Sequence, residues 1–401
     1  MKFSILQINN YHYRMFFLLI CLLYSSCVEE FEVESGDSEN ILVVNTTITN
    51  ELRTQEIKLT RTYRFEDNGP LAEQGAVVKV IEDGNTEFLF EEVFPGIYRS
   101  VNPFAAVSNK DYQLSIETSD GKMYVSGTES LPSTTSSIER VYPVRMFGDN
   151  GKEGVGILVD SFDPSGNSVY YRYRFEETYK IVAPFWVPVD LTTSLEFVDR
   201  PPGQDICFNS RSSDDIILTN TNTLSEDRVT GFLLHFIEGE DIRVADRYSV
   251  LVRQFVQSRA AHGFYETLAN FSESESLFSQ VQPGFISGNI SSIDNDEARV
   301  LGFFNVASVI EERIFFNRVD VINGLPRFSP GCERIAPVIG EGESIEEFEV
   351  RLQELIRTGS VRFLEEQRGD TEDEGSLVFV PRPCGDCTVF GSSAVPEFWI
   401  D

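Results

Sequence analysis

Cys384-Gly385-Asp386-Cys387 places two thiols at the CxxC spacing used by thiol oxidoreductases and by half of a zinc site. A redox pair needs a helix start to lower the thiolate pKa. Here Pro381 and Pro383 precede the motif and Thr388-Val389-Phe390 follows, a setting that does not predict a helix. A zinc site needs a second pair of ligands, and the only cysteines left for it in the body of the chain are Cys207 and Cys332, far upstream. Beyond the leader there are two histidines. His235 lies in the apolar run FLLHFI and reads as a hydrogen-bonded sheet residue; His262 lies near the start of a proposed helix and reads as exposed or capping. No H-E-x-x-H, G-x-S-x-G, P-loop or G-x-G-x-x-G pattern is present, so zinc-protease, serine-hydrolase and phosphate-cofactor chemistry have no sequence support and no cofactor is expected. Acidic residues are abundant enough that a carboxylate pair for glycoside hydrolysis stays open. Asp294-Asn295-Asp296-Glu297 and Asp370 to Glu374 offer oxygen ligands without the alternating spacing of a calcium loop, and no metal is expected.

Cys27 carries a different chemistry. His12 and Arg14 precede an apolar run from Met15 to Tyr24, then Ser25 and Ser26. About ten apolar residues are too few to span a bilayer but suit the core of a secretory signal. A cysteine directly after small residues is the point at which bacterial lipoprotein processing cuts, which would make residues 1–26 a signal peptide and Cys27 an acylated N-terminus. Tyr24 stands where that motif usually has an aliphatic residue, and the alternative is an ordinary leader cut near Ser26. In an exported chain the four remaining cysteines, Cys207, Cys332, Cys384 and Cys387, are expected to form two disulfides, with all three pairings open.

Residues 27–40 read as an acidic tether, with Glu29, Glu30, Glu32 and Glu34 directly after the cysteine. Over the whole chain 64 acidic residues face 33 basic ones. Without Lys2 and Arg14 of the leader, 31 basic residues remain and the net charge is −33. Such a chain repels nucleic acid and anionic lipid surfaces. Its 41% hydrophobic content, with 32 Phe and 14 Tyr, supports a packed core.

The elements that must carry these residues are mostly strands. ILVVNTTI (Ile41 to Ile48) and EIKLTRT (Glu56 to Thr62) are rich in branched residues. Asp83-Gly84 and Asp120-Gly121 separate apolar runs and predict two hairpins; PGIYRS adds another short strand. Residues 41–132 therefore read as an immunoglobulin- or transthyretin-like β-sandwich. Residues 138–401 read as a larger β-rich domain: VGILVDSF, VYYRYRFEETYKIV, DIILT, GFLLHFI, RYSVLVRQFV, VLGFFNVASV and ERIFF are strand-like. Ala261, Phe264, Leu268 and Phe271 predict a helix near 260–272; Ile345, Phe348, Leu352 and Leu355 predict another near 345–358, with Ser344 and Glu347 as a capping box and Gly359 as its stop. The aromatic-rich stretches Val169 to Trp186 and Phe264 to Phe278 read as core before interface.

Several segments in order, YYRYRFEETYKI (Tyr170 to Ile181), RYSVLVRQF (Arg247 to Phe255), FYETLANFSESESLFSQVQPGFISGNI (Phe264 to Ile290) and CGDCTVFGSSAVPEFW (Cys384 to Trp399), resemble the Bacteroidota lipoprotein family of unknown function numbered 4249. The family often has Trp where this chain has Tyr173 and Tyr265, and a Cys-Cys pair where it has Cys384-Gly385. The resemblance implies an outer-membrane lipoprotein of a kind often encoded beside TonB-dependent receptors, and it implies no catalytic residues; the Glu29, Glu30, Glu32 and Glu34 cluster resembles the acidic export signal that sends such lipoproteins to the outer face, the periplasmic face being the alternative. The expectation is a non-catalytic accessory or substrate-binding partner of such a transporter, with its ligand unknown. The rivals are a surface glycan or peptide hydrolase using paired carboxylates, and a structural envelope protein.

Overall fold

The computed structural model describes residues 40–63, 69–132, 136–273, 286–295, 297–367 and 377–401. The leader, Cys27 and nearly all of the acidic tether lie outside the described residues, as does the cluster Asp370 to Glu374.

The chain is mainly β. The first half contributes β1 (Leu42–Thr49), β2 (Glu56–Arg61), β3 (Leu71–Ala72), β4 (Val77–Glu82), β5 (Thr86–Phe94), β6 (Ile97–Ser100), β7 (Asp111–Glu117), β8 (Met123–Ser126), β9 (Glu129–Ser130), β10 (Ser137–Phe147), β11 (Glu153–Phe162) and β12 (Tyr170–Val182). Then follow β13 (Val189–Leu191), β14 (Phe197–Asp199), β15 (Ile206–Ser212), β16 (Ile217–Asn220), β17 (Arg228–Glu238), β18 (Arg247–Val256), helix α1 (Arg259–Glu273), β19 (Ile290–Ser292) and β20 (Val300–Asn317). Beyond a short helical turn at Arg318–Val321, helix α2 (Ile345–Arg357) leads into β21 (Val361–Glu366) and β22 (Leu377–Pro381).

Local chemistry explains the hairpins. Asp83 and Gly84 have φ angles of 49° and 73°, the left-handed pair of a tight turn closed by the Asn85 amide on the Glu82 carbonyl, and β4 pairs with β5 beyond it from Glu82 to Thr86. On β4 and β7 the alternation puts Val78, Val80, Tyr112, Leu114 and Ile116 on one face, where they join Leu42, Val44, Ile57 and Leu59 in the first core.

That first unit is not closed by residues 41–132 alone. β8 takes β19 as an antiparallel neighbour, and β1 pairs in parallel with β20 from Leu42–Val300 to Thr49–Ala307. Phe304, Val306, Val300 and Ile290 complete the core. Between β19 and β20 the Asn289 carboxamide stands in for a backbone group: Nδ2 donates to the Phe304 carbonyl at 2.9 Å, and Oδ1 accepts from the Phe304 amide at 2.8 Å.

The runs VLGFFNVASV and ERIFF, separate in the sequence reading, are one strand. After Ala307, β20 continues from Ser308 to Asn317 as the antiparallel neighbour of β18. β18 in turn pairs with β12, and β12 with β15 and β16, so a single sheet runs from β15 through β20 into the first unit. A second sheet, β10-β11-β17, covers one face of β12 and β18. Between them lies the second core, with Val155, Ile157, Val159, Tyr171, Tyr173, Tyr248 and Val250 buried. Helix α1 covers the other face, packing Ala261, Phe264 and Tyr265 on Phe303.

Helix α2 has the expected capping box: the Ser344 hydroxyl accepts from the Glu347 amide, and the Glu347 carboxylate accepts from the Ser344 amide. Its buried face is Leu352, flanked by Phe348, Leu355 and Ile356. Ile345, placed on that face by the sequence spacing, is exposed instead and takes no part in the cluster that Leu352 joins.

Candidate functional site

The disulfides join Cys207 to Cys387 and Cys332 to Cys384. The CxxC cysteines therefore bond to distant partners, not to each other. Contrary to the sequence reading, a single helical turn, Arg382–Gly385, does include Cys384, but its sulfur is committed to Cys332. The bonds fasten the C-terminal segment to β15 and to the stretch before α2.

His235 is a sheet residue, with its Nε2 3.0 Å from Arg243 Nη1 and its ring against Phe175. Burial, with the Arg243 and Arg211 charges, holds its pKa below the ordinary imidazole value. It belongs to a network centred on Glu177, a carboxylate 0% exposed that accepts from the Tyr248 hydroxyl at 2.6 Å and from Arg243 at 3.1 Å, with Arg211 Nε 3.2 Å away. His262 is neither exposed nor capping. It is 4% exposed, with Nδ1 3.4 Å from Gln257 Nε2, and the side-chain cap is Ser258, whose hydroxyl accepts from the Ala261 amide. The sequence missed this because the first turn of α1 lies on Tyr170 rather than in solvent.

Two buried carboxylates do approach one another. Asp163 accepts from the Ser165 and Ser168 hydroxyls, and Asp227 from the Tyr171 and Thr221 hydroxyls and the Ser168 amide. Their oxygens are occupied by donors that fix the turn between β11 and β12, an arrangement that ties chain to chain. Asp294 accepts from the Met123 amide. Among the described residues no group of three His, Cys, Asp or Glu is placed to hold a metal.

A cavity of about 370 Å³ opens where α1 crosses the sheet. Its walls come from β1 (Val43, Asn45), β12 (Arg172, Arg174), the loop before β16 (Ser213, Asp214, Asp215, Ile216), α1 (Phe264, Tyr265, Leu268) and β20 (Leu301, Gly302, Phe303). The strand alternation of β12 creates it. Tyr171, Tyr173 and Phe175 enter the second core, so Arg172 and Arg174 must face the α1 side.

Arg172 is 4% exposed. Its guanidinium lies 4.2 Å from the Tyr265 ring centroid and 5.0 Å from that of Phe255, and Nη2 donates to the Thr47 hydroxyl at 3.0 Å. Its Nε, sealed from solvent, has no hydrogen-bond partner among the described residues. Asn305, beside Thr47 in the β1–β20 register and wholly buried, likewise leaves both carboxamide atoms without partners among the described residues. An orphaned buried donor costs about 1–3 kcal/mol, more when charged. Arg318 shows the contrasting arrangement: equally buried, it donates to the carbonyls of Gly239, Val244, Leu325 and Pro326.

Arg174 reaches solvent at the cavity mouth. Burial by the surrounding walls and the Arg172 charge lower its pKa from the usual guanidinium value, and among the described residues no carboxylate forms an ion pair with it. Asp214 and Asp215 stand exposed on the rim. The floor is tight. Gly302 has φ +139°, and a Cβ there would meet the Val44 carbonyl oxygen at 2.2 Å.

Residues 28–313 match the family model described as a domain of unknown function, DUF4249. The chain belongs to that family. No curated protein matches it. In this DUF4249 chain all the cavity residues, from Val43 to Phe303, fall within the matched span. Helix α2, the β21–β22 sheet and three of the four disulfide cysteines lie after it.

Proposed function

We propose that the protein is a non-catalytic, lipid-anchored binding protein of the outer membrane, held by Cys27 and facing the cell exterior, that captures a small ligand for a TonB-dependent transporter. The observation that supports capture is the cavity under α1, whose wall carries the guanidinium groups of Arg172, stacked on Tyr265, and of Arg174, exposed at the mouth. A ligand oxygen at the mouth finds a donor in the Arg174 guanidinium. The cavity walls offer cations, rim carboxylates and aromatic rings, a set of groups suited to holding a ligand. The membrane and transporter parts rest on the leader, the acidic tether and the adjacency that the family resemblance implies.

The test is extraction of the tagged full chain from its native membrane in mild detergent, beside a Cys27→Ser form. The expected result is a β-barrel receptor that co-purifies with the parent, and a Cys27→Ser form released from the membrane fraction. A parent that purifies alone, carries no acyl chains by intact mass and fractionates like Cys27→Ser would overturn the proposal. Loss of envelope integrity on deletion, with uptake of nutrients intact, would point to the structural rival instead.

A further inference from the structure

We infer that the α1 cavity takes a small zwitterion bearing an apolar group, the chemistry of a free apolar amino acid or a dipeptide; this rests on the binding reading above and specifies its ligand. Three features of the cavity converge on that class. First, Arg172 and Arg174 share one strand face two residues apart, and neither is neutralised by a carboxylate among the described residues. Two neighbouring guanidinium groups on one wall match the paired oxygens of a carboxylate. Second, Asp214 and Asp215 enter the rim from the loop before β16 and offer acceptors to an ammonium group. A purely anionic ligand would meet them as repulsion, so the cavity selects against polyanions. Third, the remaining wall is apolar: Phe264, Tyr265 and Leu268 from α1 face Ile216 and Phe303.

The volume fits this class. A cavity of about 370 Å³ lies at the lower end of the range for small-ligand sites, roughly 300–1,000 Å³, which suits a ligand of one or two residues and not a long chain. Arg172 is pre-set for the task because its stacking on Tyr265 and Phe255 holds the guanidinium plane before any ligand arrives.

Calorimetric titration of the purified full chain tests the assignment with four probes: L-phenylalanine, alanyl-phenylalanine, 3-phenylpropionate, which lacks the amine, and 2-phenylethylamine, which lacks the carboxylate. At least one of the two zwitterions should bind, and which one does separates free amino acid from dipeptide. Phenylpropionate should bind about tenfold more weakly, and phenylethylamine more weakly still. Arg174→Gln, at the exposed mouth where folding is not at stake, should weaken the zwitterion and phenylpropionate about tenfold and leave phenylethylamine unchanged. Asp214→Asn combined with Asp215→Asn should bring the zwitterion down to the level of phenylpropionate. Binding of none of the four probes, equal binding of all, or variants that alter nothing would overturn the assignment. If the titrations fail while a receptor still co-purifies, the ligand class falls and the transporter role stands; if they succeed and no receptor is found, the reverse holds.

Discussion

Gly302 is the residue on which the cavity floor depends. It pairs with Val44 in the parallel β1–β20 register, at φ +139°, with no room for a side chain on that side. Gly302→Ala is expected to cost about 2–6 kcal/mol, since a strained φ and an overpacked contact each carry about 1–3. A shift of the urea midpoint at unchanged slope would record it; an unshifted midpoint would mean that the strands part easily. The buried histidines give a second expectation. Burial lowers the pKa of His262, against the pull of the Glu266 charge, and burial likewise lowers that of His235. The folded pKa values are therefore below the unfolded value of about 6.5. Above that pH both states are neutral and stability does not respond. As the pH falls below it, the unfolded chain binds protons that the folded one refuses, and stability drops by up to about 1.4 kcal/mol per pH unit for each histidine until the folded pKa is reached. Urea midpoints taken at about pH 7.5 and about pH 5.5 should fall, and His262→Gln should flatten the fall; parallel slopes for both proteins would show that His262 takes no part. Arg172 and Arg174 were hidden in the sequence for a related reason. In Tyr171-Arg172-Tyr173-Arg174 the alternation reads as a strand with one wet face, and the cover that dries it comes from α1, some way downstream.

At the scale of elements, legibility followed how local the determining interaction is. The Asp83-Gly84 hairpin and the α2 capping box are set by residues within four positions of one another, and both formed as the spacing predicts. Replacing Ser344 with Ala should cost about 1 kcal/mol and fray the first turn of α2, because the Glu347 amide loses its acceptor. Amide exchange should quicken in that turn and not in β21. The disulfide pairing, by contrast, was open among three possibilities, and only the docking of the C-terminal segment on β15 chooses between them. Non-reducing digestion should give linked peptides holding Cys207 with Cys387 and Cys332 with Cys384. A peptide with Cys384 bonded to Cys387 would contradict the fold of that segment. Cys387→Ser should lower stability by about 2–5 kcal/mol, since it frees a loop of 180 residues. The continuity of β20 escaped the sequence because Glu311 and Glu312 interrupt its apolar pattern where the strand emerges to solvent and Glu311 meets Arg253 at 3.3 Å.

For the molecule as a whole, β20 decides how its parts depend on each other. Its first eight residues complete the core around β1, and its remainder carries the sheet into β18 and β12. A fragment of residues 41–132 would keep β1 to β9 but lose both closing partners, β20 beside β1 and β19 beside β8. Phe304, Val306, Val300 and Ile290 would go with them. Burying such side chains contributes about 1.5–3 kcal/mol each, together on the order of 6–12 kcal/mol. Whole domains are stable by only about 5–15 kcal/mol, so the fragment has almost nothing left. It would also expose β1 as a long apolar edge. The fragment is expected to show collapsed amide dispersion by NMR and no cooperative melt, while the full chain unfolds the first core and the α1 cavity in one transition. The cavity walls include β1 and β20 as well as β12, so a ligand that binds there should raise the melting temperature of both cores together. A well-dispersed, cooperatively melting fragment would show instead that the first unit holds its shape without the shared strand, and that the cavity sits on a seam between parts able to fold apart.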